Sequence, residues 1–194
     1  MLVDRHNYQT FLPLLYQVST AGLAADHIAY PIRGALRRTG VEFLMKCPTA
    51  LHSSESTVKF DDGTALTFDH LVIALGSTTA DFGIPGVSEF TFVMKTVSDA
   101  LGIRSAVMRA YERLCATQVP EVLSVAVVGG GPTGVETAGA LAELVRGPLS
   151  ADFADAASRI SVSLIEAGPR LVPTFHESLS QRTRRDLEAL GVKV

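Results

Sequence analysis

Cysteine is scarce. The 194 residues include two, Cys47 and Cys115, which fit no metal-ligand spacing and form no CxxC pair. Disulphide reductases need a reactive cysteine pair, so thiol–disulphide chemistry is not expected, and with no sign of secretion a reducing compartment is the default. Long apolar runs are missing as well. Leu71 to Leu75 is typical of the longest, far below the roughly 18 residues of a membrane-spanning helix, so any membrane contact must come from elsewhere. The first residues lack the charged region, apolar core and small-residue cleavage site of a signal peptide. Charge of one sign is also lacking: the formal net charge is -3 and the sequence pI is near 5.9. That leaves no broad positive field for nucleic acid or an anionic membrane. The basic cluster Arg182, Arg184 and Arg185 is followed by Asp186 and Glu188, the mixed pattern of a solvated helix face.

What is present is apolar content of 47% against 19% charged residues, enough for one ample domain or two incomplete ones and inconsistent with disorder. Leu2-Val3-Asp4 reads as the end of a buried strand tipped with a carboxylate. In a nucleotide-binding βαβ unit such an acid bonds a ribose hydroxyl, roughly 20 residues after a glycine loop. No glycine loop precedes Asp4 here. Further on, Pro13 opposes a regular helix within Phe11 to Val18. Ile28 to Arg33 should start a short amphipathic helix ending at Gly40. Val41 to Met45 follows as a strand, and Val58 to Phe60, the turn Asp61-Asp62-Gly63-Thr64 and Ala65 to Phe68 predict an antiparallel hairpin. Leu71 to Leu75 is expected to be a buried strand ending at Gly76-Ser77. A boundary is expected near Asp81 to Gly86, where two glycines flank an Ile-Pro step. Beyond it, Thr96 to Ala116 should be helical, capped by Thr96 with Asp99 in the first turn, its apolar residues Val97, Leu101, Val107, Met108, Tyr111 and Leu114 packing into a core.

The strongest chemical signal is Val125-Ala126-Val127-Val128-Gly129-Gly130-Gly131-Pro132-Thr133-Gly134. A GxGxxG alone is weak, but this one follows an apolar, β-branched strand and opens an alanine-rich helix, the context the motif requires. Gly129 permits the tight turn, Gly131 lets a pyrophosphate approach the backbone, and Gly134 lets the helix pack close to the sheet. The helix start then favours the dianionic linker of a dinucleotide. Ile160 to Ile165 supplies the next strand and Glu166 the acid for the adenosine ribose, after a long connection from Arg146 to Ser158. A carboxylate there repels a 2′-phosphate, so NAD(H) is favoured over NADP(H), with Arg170 nearby as the opposing feature. One complete pair, Gly129 to Glu166, and half of another, ending at Asp4, is the pattern of a flavoprotein with one site for FAD and one for a nicotinamide.

With those residues in place, the sequence resembles the type II NADH dehydrogenases, the NADH:quinone oxidoreductases of the pyridine nucleotide-disulphide oxidoreductase superfamily. The resemblance spans essentially the whole chain. It rests on Asp4-Arg5-His6-Asn7-Tyr8, Pro13 to Val18, Ile28 to Arg33, Asp69 to Ser77, Phe82 to Gly86 and Gly129 to Gly139. It implies an α/β fold with two Rossmann-like dinucleotide-binding domains, both incomplete: residues 1–88 for FAD and 89–194 for NAD(H). It places Asp4 at the FAD adenosine ribose, Arg5 and the backbone of Ala50 near the adenine, Pro13 near the flavin, and Ala74 and Gly76 in a second FAD-contact segment. The superfamily's usual Ala-Thr-Gly is Ala74-Leu75-Gly76 here, tolerable where contacts are made by backbone. Glu136 matches a glutamate near the nicotinamide and flavin; its plain alternative is a carboxylate favoured by the helix dipole. The implied reaction is hydride transfer from NADH to flavin and delivery of electrons to a quinone, the protein supplying position and electrostatics.

The family's first glycine loop, a later Gly-Asp flavin segment, the quinone-site residues and the C-terminal membrane helices have no counterpart in these residues, so a fragment is expected. Membrane association would come only through those parts, at the inner face of the cell membrane, and the resemblance admits a homodimer. Ferredoxin-type reductases and sulfide:quinone oxidoreductases share the two-site plan, and a nicotinamide-binding remnant without activity is the other alternative. The five histidines are scattered and read as surface or packing residues; His70 alone lies near the cofactor segments.

Overall fold

The protein is described by a computed structural model covering residues 1–117 and 121–194. It is α/β and forms two compact units. Met1–Phe11 with Asp26–Phe82 make the first, and Leu12–Ala25 with Gly83–Val194 make the second, so helix α1 (Leu15–Ser19) belongs to the second unit. The chain therefore passes between units at Phe11–Leu12, Ala25–Asp26 and Phe82–Gly83. Gln118, which a CxxC partner of Cys115 would have to replace, lies outside the described residues.

In the first unit, β1 (Leu2–Asp4) pairs in parallel with β4 (Phe43–Met45), Asp4 opposite Met45 at the strand's C-terminal end. Strand β2 (Tyr8–Thr10) pairs antiparallel with β3 (Ala29–Pro31). This corrects the helix expected from Ile28: α2 covers only Ile32–Ala35. The reason is Pro31, which cannot donate within a helix and pushes its predecessor into extended conformation. It stands as the residue before α2, with φ -62° and ψ 119°.

Strands β5 (Pro48–His52), β6 (Thr57–Phe60) and β7 (Ala65–Thr67) form an antiparallel meander. The predicted hairpin turn is there, with Gly63 at φ +79°. Lys46, just past β4, ties the turn down: its Nζ donates to Thr64 Oγ1 at 2.6 Å and pairs with Asp62 at 2.8 Å. The Lys46 contact, with the Thr64 hydroxyl and amide donating to Asp62 Oδ1 at 2.6 and 3.0 Å, holds the Asp62 carboxyl far below its usual range.

The buried strand expected at Leu71 to Leu75 is not formed. The segment has no regular structure and its apolar side chains lie open, Val72 at 86% and Leu75 at 68% exposure. A five-residue apolar run becomes a buried strand only where strands flank it and helices cover it. The parallel sheet of this unit consists of β1 and β4, and neither pairs with the run.

The second unit is built on a strand–helix–strand crossover. Strands β8 (Leu123–Val128) and β9 (Ile160–Ile165) are parallel and in register from Leu123↔Ile160 to Val128↔Ile165. Lys193 adds a bridge on the far side of β9. Helix α5 (Pro132–Leu144) lays Ala138, Leu141 and Ala142 against Val162 and Leu164, with Leu187 and Val192 closing the core. Leu187 comes from the last helix, α8 (Glu177–Ala189).

Before the crossover come α3 (Val87–Phe90) and α4 (Val97–Ala116). The capping box of α4 is complete: the Asp99 amide donates to Thr96 Oγ1 at 3.1 Å, and the Thr96 amide donates to Asp99 Oδ2 at 2.8 Å. Its buried residues are Val97, Ala100, Ala110, Tyr111 and Leu114; Leu101, assigned to that face, is 37% exposed. Pro13 keeps its own turn out of the regular helix, but not the rest of Phe11 to Val18. A single tight turn, Leu12–Leu14, contains it, and regular α1 begins just after it and packs on α4 and α5.

The long connection after α5 is helical: a wide turn at Val145–Leu149, then α6 (Ser150–Asp152) and α7 (Ala154–Ser158). Tyr111, Leu114, Leu149, Ala156 and Ala157 make a second apolar cluster beneath it. The Tyr111 hydroxyl donates to the Leu149 carbonyl at 2.8 Å, and burial pushes its pKa up. Tyr111→Phe should therefore cost about 1 to 2 kcal/mol, the value of a buried hydrogen bond whose acceptor loses its partner. Urea unfolding checks this, and an unchanged midpoint would mean the wide turn is held by packing alone.

Candidate dinucleotide-binding site

Three glycines shape the end of β8, each for a different reason. Gly129 has φ +106°, a left-handed conformation that side chains resist, and its amide continues the ladder to the Ile165 carbonyl at 2.8 Å. Gly134 is required by space: a Cβ there would fall onto the Gly129 carbonyl oxygen. Gly131 stands before the first residue of α5, at φ -73° and ψ 178°, with no side chain capping the helix. A Cβ on Gly131 would meet nothing within 4 Å. The turn is thus packed tightly on its inner side and open where Gly131 faces out, beside the first amides of α5, which have no intrahelical acceptors.

Glu166 comes straight off β9 to this turn. The Gly130 amide donates to its Oε2 at 2.6 Å, and the Gly168 amide donates to its Oε1 at 2.6 Å. The Gly168 and Gly130 bonds together pull the carboxyl pKa down, so the group stays ionised across the neutral range. A depressed folded-state pKa gives stability that is present above the unfolded carboxyl range and lost as pH falls through the lowered value. Glu166→Gln is accordingly expected to cost about 1 kcal/mol near neutrality, and the deficit should close in acid. Urea midpoints at neutral and acid pH test this; an equal deficit at both would assign the loss to shape rather than charge.

Glu136 lies past the first turn of α5, which contains no acid. The helix dipole weakens beyond the first turn, so the dipole reading of this carboxylate has little force. With Tyr16, Glu143, Thr183 and Asp186 it lines a pocket of about 290 Å³ beside α5 and α8. The side chain is exposed by surface area, yet its surroundings withdraw enough water to push the carboxyl pKa up.

The structure therefore brings Gly129, Gly131, Gly134 and Glu166 together in the second unit. Pro13 is in the same unit, in the turn Leu12–Leu14. In the first unit, Asp4 ends β1, and its Oδ1 accepts the His6 amide at 2.8 Å, fixing an exposed carboxylate. Arg5 follows it in the loop after β1, Ala50 is in β5, and Ala74 and Gly76 lie in or just after the unpaired run, Gly76 at φ +74°. Sequence reasoning gave the middle glycine, Gly130, no role. The signal was in the Gly-Gly-Gly run, but the pressure on Gly130 comes from residues 166 and 171, which only folding brings there. Among the described residues no group of His, Cys, Asp and Glu is placed to hold a metal, and no helix is long and apolar enough to cross a membrane.

A parallel crossover, a glycine turn opening a helix and an acid at the end of the next strand define an α/β dinucleotide-binding protein. The whole chain, residues 1–194, matches the pyridine nucleotide-disulphide oxidoreductase family, and it belongs to that family. It is 35% identical over its full length to a type II NADH:quinone oxidoreductase of Mycobacterium tuberculosis, covering 44% of that protein. It is 32% identical over 95% of its length to an external alternative NADH-ubiquinone oxidoreductase of Yarrowia lipolytica, covering 34% of it. The structure of NDH2 from Plasmodium falciparum in complex with NADH superposes with a TM-score of 0.91 at 30% identity, over all of this chain and 42% of that one. The chain thus spans less than half the length of these relatives. A sulfide:quinone oxidoreductase from Aquifex aeolicus, at 19% identity and a TM-score of 0.78, shares the fold.

Proposed function

We propose that this protein takes part in NADH:quinone oxidoreduction, with NADH on the second unit and FAD on the first. The observation that carries the reading is the Glu166 carboxylate held by the Gly130 and Gly168 amides beside a helix start left open at Gly131. A pyrophosphate fits that opening, and the two oxygens of Glu166 each keep a lone pair for a ribose hydroxyl. The cofactors supply hydride transfer from nicotinamide to flavin and onward reduction of a quinone.

The chain's own part is placement. Gly131 and the α5 amides hold the linker, Glu166 fixes the adenosine end and opposes a 2′-phosphate, and Glu136 acts near the nicotinamide. In the first unit Asp4 takes the FAD adenosine ribose, Arg5 and Ala50 flank the adenine, and Ala74 and Gly76 add backbone contacts; Pro13, in the second unit, approaches the flavin. By the resemblance residues 1–88 serve FAD and 89–194 serve NADH, with 12–25 and 83–88 of the FAD range folding in the second unit. The acceptor is a quinone, as the relatives' names indicate for those proteins. The site of action is the inner face of the cell membrane, and a homodimer is the assembly.

A second reading has its own observation. Leu71 to Leu75, beside the Ala74 and Gly76 contacts assigned to FAD, stands unpaired and exposed. That exposure is what a nicotinamide-binding module without flavin would show. The visible spectrum of the purified chain with and without added FAD, followed by NADH under argon, separates the two. A retained flavin that NADH bleaches supports the oxidoreductase, whereas a colourless protein that still binds NADH supports the module.

A further inference from the structure

Gly130, between the two glycines of the motif, is gripped from three sides. Its amide donates to Glu166 Oε2 at 2.6 Å. Its carbonyl accepts the Val172 amide at 2.7 Å. A Cβ on it would lie 2.6 Å from Leu171 Cδ2 and 2.9 Å from both Cβ and Oε2 of Glu166. Its φ is not left-handed, so glycine is required there by space and not by backbone conformation. Val172, for its part, holds φ 41°, an unusual value for a β-branched residue, while its side chain is buried. That strain is retained where it delivers one amide to the Gly130 carbonyl.

These bonds have a consequence at the far side of the turn. Because the peptide is planar and trans, pinning the Gly130 carbonyl toward Val172 sends the Gly131 N–H the opposite way. That is the direction away from the 171–172 segment. One residue thus fixes both the acid at the ribose end and the peptide offered to the pyrophosphate.

We propose that Gly130 is the specificity-positioning residue of this site: it locks the Glu166 carboxylate to the pyrophosphate turn, so that the preference for NADH over NADPH depends on residue 130 having no side chain. The proposal rests on the dinucleotide reading above. With alanine at 130, Glu166 has to leave the Gly130 amide, because its own Cβ as well as its carboxylate is in the way. NADH then loses its fixed ribose acceptor, while NADPH is relieved of a fixed negative charge facing its 2′-phosphate.

The test is titration of the full chain with NADH and with NADPH, followed by the fluorescence of the reduced nicotinamide. Gly130→Ala should weaken NADH about tenfold and NADPH less than about threefold, so the preference shrinks. Adding Glu166→Ala to Gly130→Ala should then cost less than about threefold more, since both remove the same interaction. An equal loss for both nucleotides, or fully additive losses, would show a merely structural glycine and overturn the proposal. If the unsubstituted chain binds neither nucleotide, the dinucleotide reading fails and takes the proposal with it. Should Gly130→Ala not fold, the amide proton resonances of Gly130 and Gly168 decide the matter. Both should lie far downfield and move upfield in Glu166→Gln; ordinary positions for both would overturn the clamp.

Discussion

Gly134→Ala is expected to destabilise the second unit by about 3 kcal/mol, the upper end for forcing one extra carbon into a packed interior. The added methyl would fall onto the Gly129 carbonyl oxygen, come within 3.0 Å of the Gly129 carbonyl carbon and touch Leu164 Cδ1 at 3.5 Å. None of these can yield easily. Gly129 is held at φ +106° and bonded to Ile165, and Leu164 is part of the core. Relief requires α5 to lift from the sheet, which opens the packing of Ala138, Leu141 and Ala142 against Val162 and Leu164. For a chain of this size the loss corresponds to a thermal midpoint lower by roughly 6 to 12 °C. Calorimetry or thermal circular dichroism measures it, and a midpoint within about 2 °C of the unsubstituted chain would show that the helix has room to spare.

Gly131→Val should do the reverse, leaving stability within about 0.5 kcal/mol. The residue sits at an extended φ and ψ open to any side chain, and its Cβ direction is empty. The valine methyls would occupy the space through which a pyrophosphate reaches the α5 amides. NADH affinity is expected to fall about a hundredfold, close to 2.7 kcal/mol. The pair of variants thus separates a glycine that the fold needs from one that the ligand needs, three residues apart. Calorimetric titration alongside the thermal midpoint reads both. Unchanged NADH affinity in a folded Gly131→Val chain would remove the pyrophosphate from this turn, and with it the central support for the proposed function.

The sequence by itself determined the second unit's crossover. A β-branched strand, a glycine turn at fixed offsets, an alanine-rich helix and a strand ending in Glu166 are local patterns, and each local preference agrees with the fold around it. The capping box at Thr96 and Asp99 and the hairpin turn at Gly63 were legible for the same reason. At Pro13 only the break in regular helix was legible, because proline's constraint acts on its own residue and its neighbours.

Tertiary structure decided the rest. Apolar composition marked Leu71 to Leu75 as strand, but burial depends on partners that a five-residue pattern does not encode, and the run is open. Pro31 keeps the residues after Ile28 extended, a local constraint, but their pairing with Tyr8–Thr10 joins segments some 20 residues apart, which periodicity along one segment cannot register. The joining of Leu12–Ala25 to the second unit is likewise a matter of which surfaces α1 covers. The role proposed for Gly130 belongs to the same class. Its neighbours Glu166 and Leu171 lie more than thirty residues away along the chain, so the need for a bare backbone at that point exists only once β9 has been laid beside β8.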